Sequence, residues 1–220
     1  MVEDLEDLTG VRVAILTANE GVEQIELAEP RQALLDRGAT VTLVAPKAGP
    51  VQTMDHLDKA AVEQADRSVQ DVGVQDFDAL LLPGGVANPD RLRMDRDAVD
   101  FVRAFFHDGK PVAAICHAPW MLIEADCVRG RVVTSWPSLR RDLWNAGVRS
   151  WVDREVVVCD HGASLLVTSR KPDDLPWFEE AMIAAFARGA RTPADVMASP
   201  AAGALDDIIV LFPPEPSEPG

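Results

Sequence analysis

The chain has 220 residues, of which 47% are apolar, and this is enough for one sizeable core and too apolar for a disordered protein. Its formal net charge of −15 has the wrong sign for binding nucleic acid and disfavours anionic lipid. No apolar run approaches the roughly 20 residues of a membrane span, and the acidic first ten residues lack the features of a signal peptide. Three cysteines make no disulfide framework, so we expect a cytoplasmic protein.

Short apolar runs rich in β-branched residues alternate with segments of helical periodicity, a pattern typical of a doubly wound, mostly parallel α/β sheet. The predicted strands, in chain order, are residues 11–17, 40–45, 79–82, 112–115, 132–134, 156–159 and 165–168. The predicted helices are residues 22–36, 95–107, 119–125, 138–145 and 176–188. Pro30 falls inside the first helix and should kink it.

The segments outside this alternation carry less information. Residues 47–76 are polar and poorly periodic, and we expect short strands or a hairpin excursion there. The sequence therefore divides into an acidic leader (1–10), one α/β domain (11–188) and a C-terminal extension (189–220) with a proline-rich, loose end. Within the extension, the apolar run 208–212 would be aggregation-prone if exposed, so we expect it to dock on this domain or on a partner subunit.

Three of the predicted strand ends should meet at one edge of the sheet, where doubly wound folds place their sites. Cys116 lies at the turn from strand to helix with His117 directly after it. Gly84-Gly85 ends a second strand, and residues 17–23 end a third. Helix N-terminal N–H groups near such a turn should lower the thiol pKa, and glycine backbone could form an oxyanion hole. We therefore predict that Cys116 is a reactive nucleophile.

The other candidate groups have plainer explanations. Cys127 and Cys159 are expected to be small buried apolar residues, and Cys159 with His161 offers too few ligands for a metal site. His117 would need a carboxylate to fix its tautomer, and the acidic candidates are Asp90, Asp95, Asp97, Glu20, Glu23 and Glu26. Tyrosine is absent, so any general acid must come from another residue type.

Four separated motifs, in this order, carry a family resemblance: TANEGVEQIEL (17–27), LPGG (82–85), AAICHAPW (113–120) and VTSRKPDDLPWF (167–178). Together they resemble the PfpI family of intracellular cysteine peptidase-like and general stress proteins, within the class I glutamine amidotransferase-like superfamily. The resemblance covers residues 11–188 and implies a flavodoxin-like three-layer sandwich. It also implies a homodimer, in some members assembled into a hexamer, with no cofactor and no metal.

The resemblance also assigns roles to individual residues. Cys116 matches the nucleophile, His117 its partner, and Glu23 a buried, protonated glutamate that hydrogen-bonds the sulfur. Asp90 matches a further acid that reaches the histidine from the neighbouring subunit, although the family more often has glutamate there. The backbone N–H groups of Gly85 and His117 match the oxyanion donors, and the predicted substrate pocket is formed by Gly84, Ala118 and Trp120. Ala118 and Trp120 depart from the family pattern, and Trp120 should narrow the pocket.

We expect an enzyme in which the Cys116 thiolate attacks a carbonyl. The resemblance implies three substrate classes: peptide bonds, early adducts of methylglyoxal or glyoxal on proteins, and the free dicarbonyls. Glutamine hydrolysis is not expected, because no His-x-Glu pair follows Cys116. The alternative is a non-enzymatic redox sensor or holdase chaperone, in which an exposed low-pKa thiol oxidises to sulfinic acid beside Glu23.

Overall fold

A computed structural model describes residues 7–189 and the backbone of residues 208–209. The sheet is built from runs of β-branched and aliphatic residues, which suit strands that are buried on both faces. The strands are β1 (Arg12–Leu16), β2 (Glu20–Glu23), β3 (Thr40–Ala45), β4 (Gly49–Asp55), β5 (Asp58–Ala65), β6 (Arg67–Ser68), β7 (Ala79–Leu82), β8 (Val112–Ile115), β9 (Val132–Val133), β10 (Ser150–Trp151), β11 (Val156–Cys159), β12 (Leu166–Ser169) and β13 (Ile208–Ile209). The helices are α1 (Gln24–Asp36), α2 (Ala87–Leu92), α3 (Arg96–His107), α4 (Pro119–Glu124), α5 (Arg140–Asn145) and α6 (Leu175–Gly189).

Within the described residues, the central sheet has eight strands in the order β13-β11-β12-β8-β7-β1-β3-β6. The ladders from β12 to β6 are parallel, whereas β11 runs antiparallel to β12 and β13 antiparallel to β11. Apolar side chains alternate between two cores, one under α1 and α6 and the other under α3, α4 and α5. This is the predicted α/β three-layer sandwich with a mostly parallel sheet, and it is confirmed.

The segment between β3 and β7 is a hairpin excursion, as expected. β4 and β5 pair antiparallel, and β2 joins them to make a separate three-stranded sheet. Strand β2 was not predicted, because the apolar residues of Glu20–Glu23 continue the helical spacing of the residues after them. Helix α1 begins at Gln24 rather than at the predicted residue 22. Helix α1 continues through Pro30, which is buried inside it. Helix α2 was not predicted either.

The chain ends are described only in part. Residues 1–6, 190–207 and 210–220 lie outside the described residues, so the leader and most of the C-terminal extension stay predictions. Within the extension, the backbone of Ile208 and Ile209 pairs with Cys159 and Val158 of β11. In the part of the chain that the structure describes, no helix has the length and apolar character needed to cross a bilayer.

Candidate active site

Cys116 follows β8 without an intervening residue, and Gly84-Gly85 follows the neighbouring strand β7 after Pro83. Because β7 and β8 are parallel neighbours, their carboxyl ends bring these residues to the same edge of the sheet. A cavity of about 420 Å³ opens there, and its lining includes Cys116, His117 and Gly85. The predicted convergence of strand ends is therefore present in the fold.

The backbone holds Cys116 in a strained conformation. Its φ of 63° lies in the left-handed region, which a residue with a side chain occupies at a cost of about 1–3 kcal/mol. Two hydrogen bonds fix this turn: the Cys116 N–H donates to Ser169 O at 3.0 Å, and the Trp136 N–H donates to Cys116 O at 2.9 Å. A sharp strand-to-helix turn of this kind presents a nucleophile above the end of a sheet.

The buried glutamate beside the sulfur is Glu26, and the assignment of that contact to Glu23 was wrong. Glu26 is fully buried; its Oε2 accepts a hydrogen bond from the Gly84 N–H at 2.9 Å, and its carboxyl lies within hydrogen-bonding reach of the Cys116 sulfur. The two glutamates lie on different elements. Glu23 is the last residue of β2, whereas Glu26 lies in the first turn of α1 on the face that points into the fold.

Glu23 lines the wall of the cavity instead. Both of its carboxylate oxygens lie 3.2 Å from the backbone nitrogen of His56, which donates to them, and its Oε1 is 3.5 Å from His56 Nδ1. His56 belongs to the turn between β4 and β5, with a left-handed φ of 57°. Glu23 therefore connects the hairpin to the site, whereas Glu26 is the glutamate that contacts the sulfur.

Burial sets the protonation state of the residues around the sulfur. It raises the pKa of Glu26 to about 8, with a further contribution from the nearby Glu23 carboxylate, so Glu26 is mostly protonated at neutral pH. Burial lowers the pKa of His117 to about 4, so the imidazole is uncharged at neutral pH. His117 Nδ1 lies 3.2 Å from Cys116 Sγ and is therefore placed to accept a proton from the thiol.

The thiol itself does not have the depressed pKa that the sequence suggested. Burial raises the pKa of Cys116, and the Glu26 carboxylate raises it further at a pH where Glu26 is ionised. The backbone N–H groups of Gly85 and His117 hydrogen-bond the sulfur and oppose this effect. α4, which follows the cysteine, has only six residues and begins with Pro119, so it supplies little of the expected helix field. Those two N–H groups are the predicted oxyanion donors, a role that stays a prediction.

Gly84 lies between the side chains of Glu26 and Cys116. A Cβ on Gly84 would lie 2.5 Å from Glu26 Oε2 and 2.7 Å from Cys116 Cβ, closer than non-bonded atoms approach. A glycine here allows the carboxyl and the thiol to lie on either side of the same backbone segment. The sequence indicated that the two glycines offer backbone N–H groups to an oxyanion. The structure shows in addition that the absence of a side chain at Gly84 lets the carboxyl and the thiol approach each other.

Four predicted site residues are absent from the lining of the cavity: Gly84, described above, Asp90, Ala118 and Trp120. Asp90 is exposed on α2, and among the described residues no hydrogen bond or ion pair joins it to His117. Ala118 is buried before α4. The indole N–H of Trp120 donates to Asp142 Oδ2 at 2.9 Å, and the Trp120 ring centroid lies 5.4 Å from that of His117. That Trp120 narrows the pocket stays a prediction.

The aromatic residue that lines the cavity is Trp136, which the sequence did not single out. Its ring stacks on the His117 imidazole with centroids 5.6 Å apart and planes 24° apart. It follows the short strand β9 by three residues, a loop position that carries no pattern of its own. The hydrogen bond from its N–H to Cys116 O and the stacking of its ring on His117 place it at the site.

Glu23, Asp55 and His56 could between them offer ligands to a metal ion, since one ligand atom of each lies within 4.8 Å of the others. Asp55 and His56 are exposed, and their contacts are also those of ordinary hydrogen-bonded polar groups. The prediction that catalysis uses no metal and no cofactor therefore stays a prediction.

The raised pKa of Glu26 predicts that stability falls as pH rises. The folded state binds more protons than the unfolded chain between the ordinary value of 4.5 and about 8, so stability conferred by the protonated carboxyl is complete below that window and lost above it. His117 has the opposite effect, but only between about 4 and 6.5. Between pH 6.5 and 8, we expect the wild type to lose about 1.5 kcal/mol relative to Glu26→Gln.

Urea denaturation at pH 6.5 and pH 8 measures this difference. Glu29→Gln is the matched control, because Glu29 lies on the exposed face of the same helix. A free-energy difference between wild type and Glu26→Gln that stays constant with pH would show that Glu26 is ionised in the folded protein.

A strained cysteine at a strand end, beside a buried carboxyl and a histidine, defines the class: a flavodoxin-like α/β protein with a candidate cysteine nucleophile. The model of the DJ-1/PfpI family matches residues 11–185, and the chain belongs to this family. Thus the family resemblance carried by the four motifs is confirmed.

The relatives span most of this chain and nearly all of their own length. General stress protein 18 of Bacillus subtilis is 44% identical over 162 residues, covering 74% of this chain and 90% of that protein. Deglycase PfpI of Pyrococcus furiosus is 42% identical over 171 residues, covering 77% of this chain and 96% of that protein. The crystal structure of Drosophila melanogaster DJ-1beta has a TM-score of 0.69 at 26% identity and covers 80% of this chain and 90% of that one.

Proposed function

We propose that this protein is a cysteine-dependent hydrolase that acts as a deglycase or glutathione-independent glyoxalase, on methylglyoxal, glyoxal or their adducts on proteins. The observation that carries the proposal is the environment of Cys116 Sγ. The sulfur has His117 Nδ1 at 3.2 Å, the Glu26 carboxyl within hydrogen-bonding reach, and an open cavity beside it. The name of Deglycase PfpI supports the deglycase part of this proposal.

The arrangement supports a reaction that starts from a neutral thiol. As Cys116 Sγ adds to the aldehyde carbon, its proton passes to His117 Nδ1, and the carbonyl oxygen becomes an oxyanion held by the backbone N–H groups of Gly85 and His117. Protonation of that oxygen gives a hemithioacetal. The former aldehyde carbon then loses its proton and the neighbouring carbon gains one, while the hydroxyl proton moves from the first oxygen to the neighbouring oxygen. The product is a lactoyl thioester. Water hydrolyses the thioester, releasing lactate and restoring the thiol.

The remaining groups have proposed roles in the same scheme. Glu26, protonated at neutral pH, donates its hydrogen bond to the sulfur and stabilises negative charge there during attack. Asp90 would complete the site only if a second copy of the chain brings it to His117, so we propose a homodimer or a hexamer as the working form. Peptide hydrolysis uses the same nucleophile and oxyanion donors and is the second substrate class to test.

The test is a comparison of three substrates with one preparation of the full chain. We expect incubation with methylglyoxal to yield lactate, measured by proton NMR, well above the rate in buffer. A glycated peptide and an unmodified peptide, assayed in parallel, distinguish adduct removal and peptide hydrolysis from turnover of the free dicarbonyl. Absence of turnover with all three would refute the enzymatic proposal.

A redox sensor or holdase is the competing proposal, and one observation favours the redox role. A protonated Glu26 beside the sulfur could donate a hydrogen bond to a sulfinate oxygen on Cys116. The raised pKa of the thiol weighs against it, because peroxide reacts with the thiolate. Mass spectrometry after mild peroxide treatment separates the two: selective oxidation of Cys116 without turnover of any substrate would support the sensor.

A further inference from the structure

The cavity beside Cys116 has an apolar wall made of Leu57, Val86 and Trp136. These are large apolar side chains left open to solvent, with exposed fractions of 87%, 55% and 37% respectively. They come from three separate places in the chain: the tip of the β4–β5 hairpin, the residue before α2, and the loop after β9. Their convergence on one cavity is not a consequence of a single amphipathic element.

The wall is fixed relative to the nucleophile. The Trp136 N–H donates to Cys116 O at 2.9 Å, and the Trp136 ring stacks on His117, whose Nδ1 is 3.2 Å from the sulfur. Leu57 follows His56, which Glu23 holds at the wall. A carbonyl compound attacked by the sulfur must therefore place its substituent in a space bounded by these apolar groups.

The charged groups of the cavity are paired with one another. Lys171 Nζ lies 2.8 Å from Asp173 Oδ2, and Glu23 Oε1 lies 3.5 Å from His56 Nδ1. Among the described residues, the lining thus offers no cation without a carboxylate partner to attract a negatively charged substituent. An uncharged substituent suits these surroundings better than a carboxylate, which would also meet the net negative charge of the protein.

The size of the cavity points in the same direction. At about 30 Å³ for each non-hydrogen atom, methylglyoxal would fill less than half of the roughly 420 Å³ available. The remaining space is an apolar cleft with a few polar groups at one end. Apolar ligands bind to proteins in clefts of this type. A larger apolar group would displace water from the wall while the dicarbonyl stayed at the sulfur.

We propose that this site selects 2-oxoaldehydes with a large uncharged apolar substituent, an aryl group in particular, through contact with Trp136, Leu57 and Val86. The inference rests on the proposed function and names its substrate class. For phenylglyoxal, the sulfur adds to the aldehyde carbon. That carbon then loses its hydrogen as a proton, and the neighbouring carbon gains a proton. One water hydrolyses the resulting thioester and releases mandelate. No oxidant or reductant is required.

The test compares kcat/KM for phenylglyoxal and for methylglyoxal, with mandelate and lactate measured as products. We expect the ratio to favour phenylglyoxal by at least about tenfold in the wild type, the scale set by a few apolar contacts in a pocket. Trp136→Ala and Leu57→Ser should each lower that ratio by about tenfold. Leu57→Ser tests the wall without touching the stacked histidine. Trp144→Ala is the matched control, because this half-exposed tryptophan lines a different surface cavity, beside α5.

The outcomes separate this inference from the proposed function. Turnover of methylglyoxal with a ratio near one, or a ratio unchanged in both wall variants, overturns the inference and leaves the hydrolase intact. Turnover of neither compound refutes the hydrolase, and with it the substrate class. If the wall variants change the sedimentation coefficient and not the ratio, the wall is an interface between copies of the chain and the inference is wrong.

Discussion

Replacing Cys116 with alanine should lower kcat/KM for methylglyoxal by at least about 10⁴-fold, the scale seen when a covalent nucleophile is removed. No other described sulfur shares its surroundings: Cys127 and Cys159 are free thiols outside the cavity. Cys116→Ser should be almost as inactive. A serine hydroxyl is far less acidic than a thiol, and the neutral imidazole of His117 is a weak base at neutral pH.

Cys127→Ala is the matched control for this experiment. Cys127 is half-buried and its Sγ donates to Ala125 O at 3.3 Å, so its removal should leave kcat/KM within about twofold of the wild type. Circular dichroism of each variant would verify that the fold is retained. Turnover in Cys116→Ala equal to that of the wild type would show that the thiol takes no part in the reaction.

Replacing Gly85 with alanine should cost about 3 kcal/mol or more in the free energy of unfolding and at least about 10²-fold in activity. Gly85 has a φ of 83°, and a Cβ there would lie 2.4 Å from Gly21 O and 2.7 Å from Glu23 N. Both neighbours are backbone atoms, so the contact can be relieved only by moving β2 or the loop after β7. Either movement displaces the Gly85 N–H from the sulfur.

Gly10→Ala separates the two causes of this loss. Gly10 has nearly the same φ, 85°, but a Cβ there would meet nothing within 4 Å. Its replacement should therefore show only the conformational cost of about 1 kcal/mol, with activity unchanged. Equal losses of unfolding free energy in the two variants would mean that the close approach of Gly85 to β2 contributes nothing.

Much of the fold could be predicted from sequence, because buried parallel strands are short apolar runs that stand out between polar segments. The bounds of β8 and β11 match the predicted strands residue for residue. The strand β2 could not be found this way, because its pairing with β4 is a tertiary contact and its own residues have helical spacing. The short α2 contains Pro89 and lacks the length over which helical periodicity becomes visible.

The site shows the same division between local and tertiary information. Cys116 and Gly84-Gly85 could be placed because they end apolar strands, a local signal. Glu23 was assigned to the sulfur by the family resemblance, and no local pattern separates it from Glu26. The two carboxyls are distinguished by the start of α1, which lies two residues later than predicted. The raised pKa of the thiol and the place of Trp136 arise from burial and loop packing, which no local pattern encodes.

The three-stranded sheet of β2, β4 and β5 stands apart from the central sheet that carries the cysteine, and its hairpin tip supplies His56 and Leu57. One part of the proposed selectivity, the Leu57 side chain, is thus carried by a sheet other than the one that carries the nucleophile. Insertions or replacements at an exposed tip leave the buried strands undisturbed, so evolution can alter which molecules are admitted without re-creating the nucleophile. The same independence makes this hairpin the natural place to engineer a new preference into the molecule.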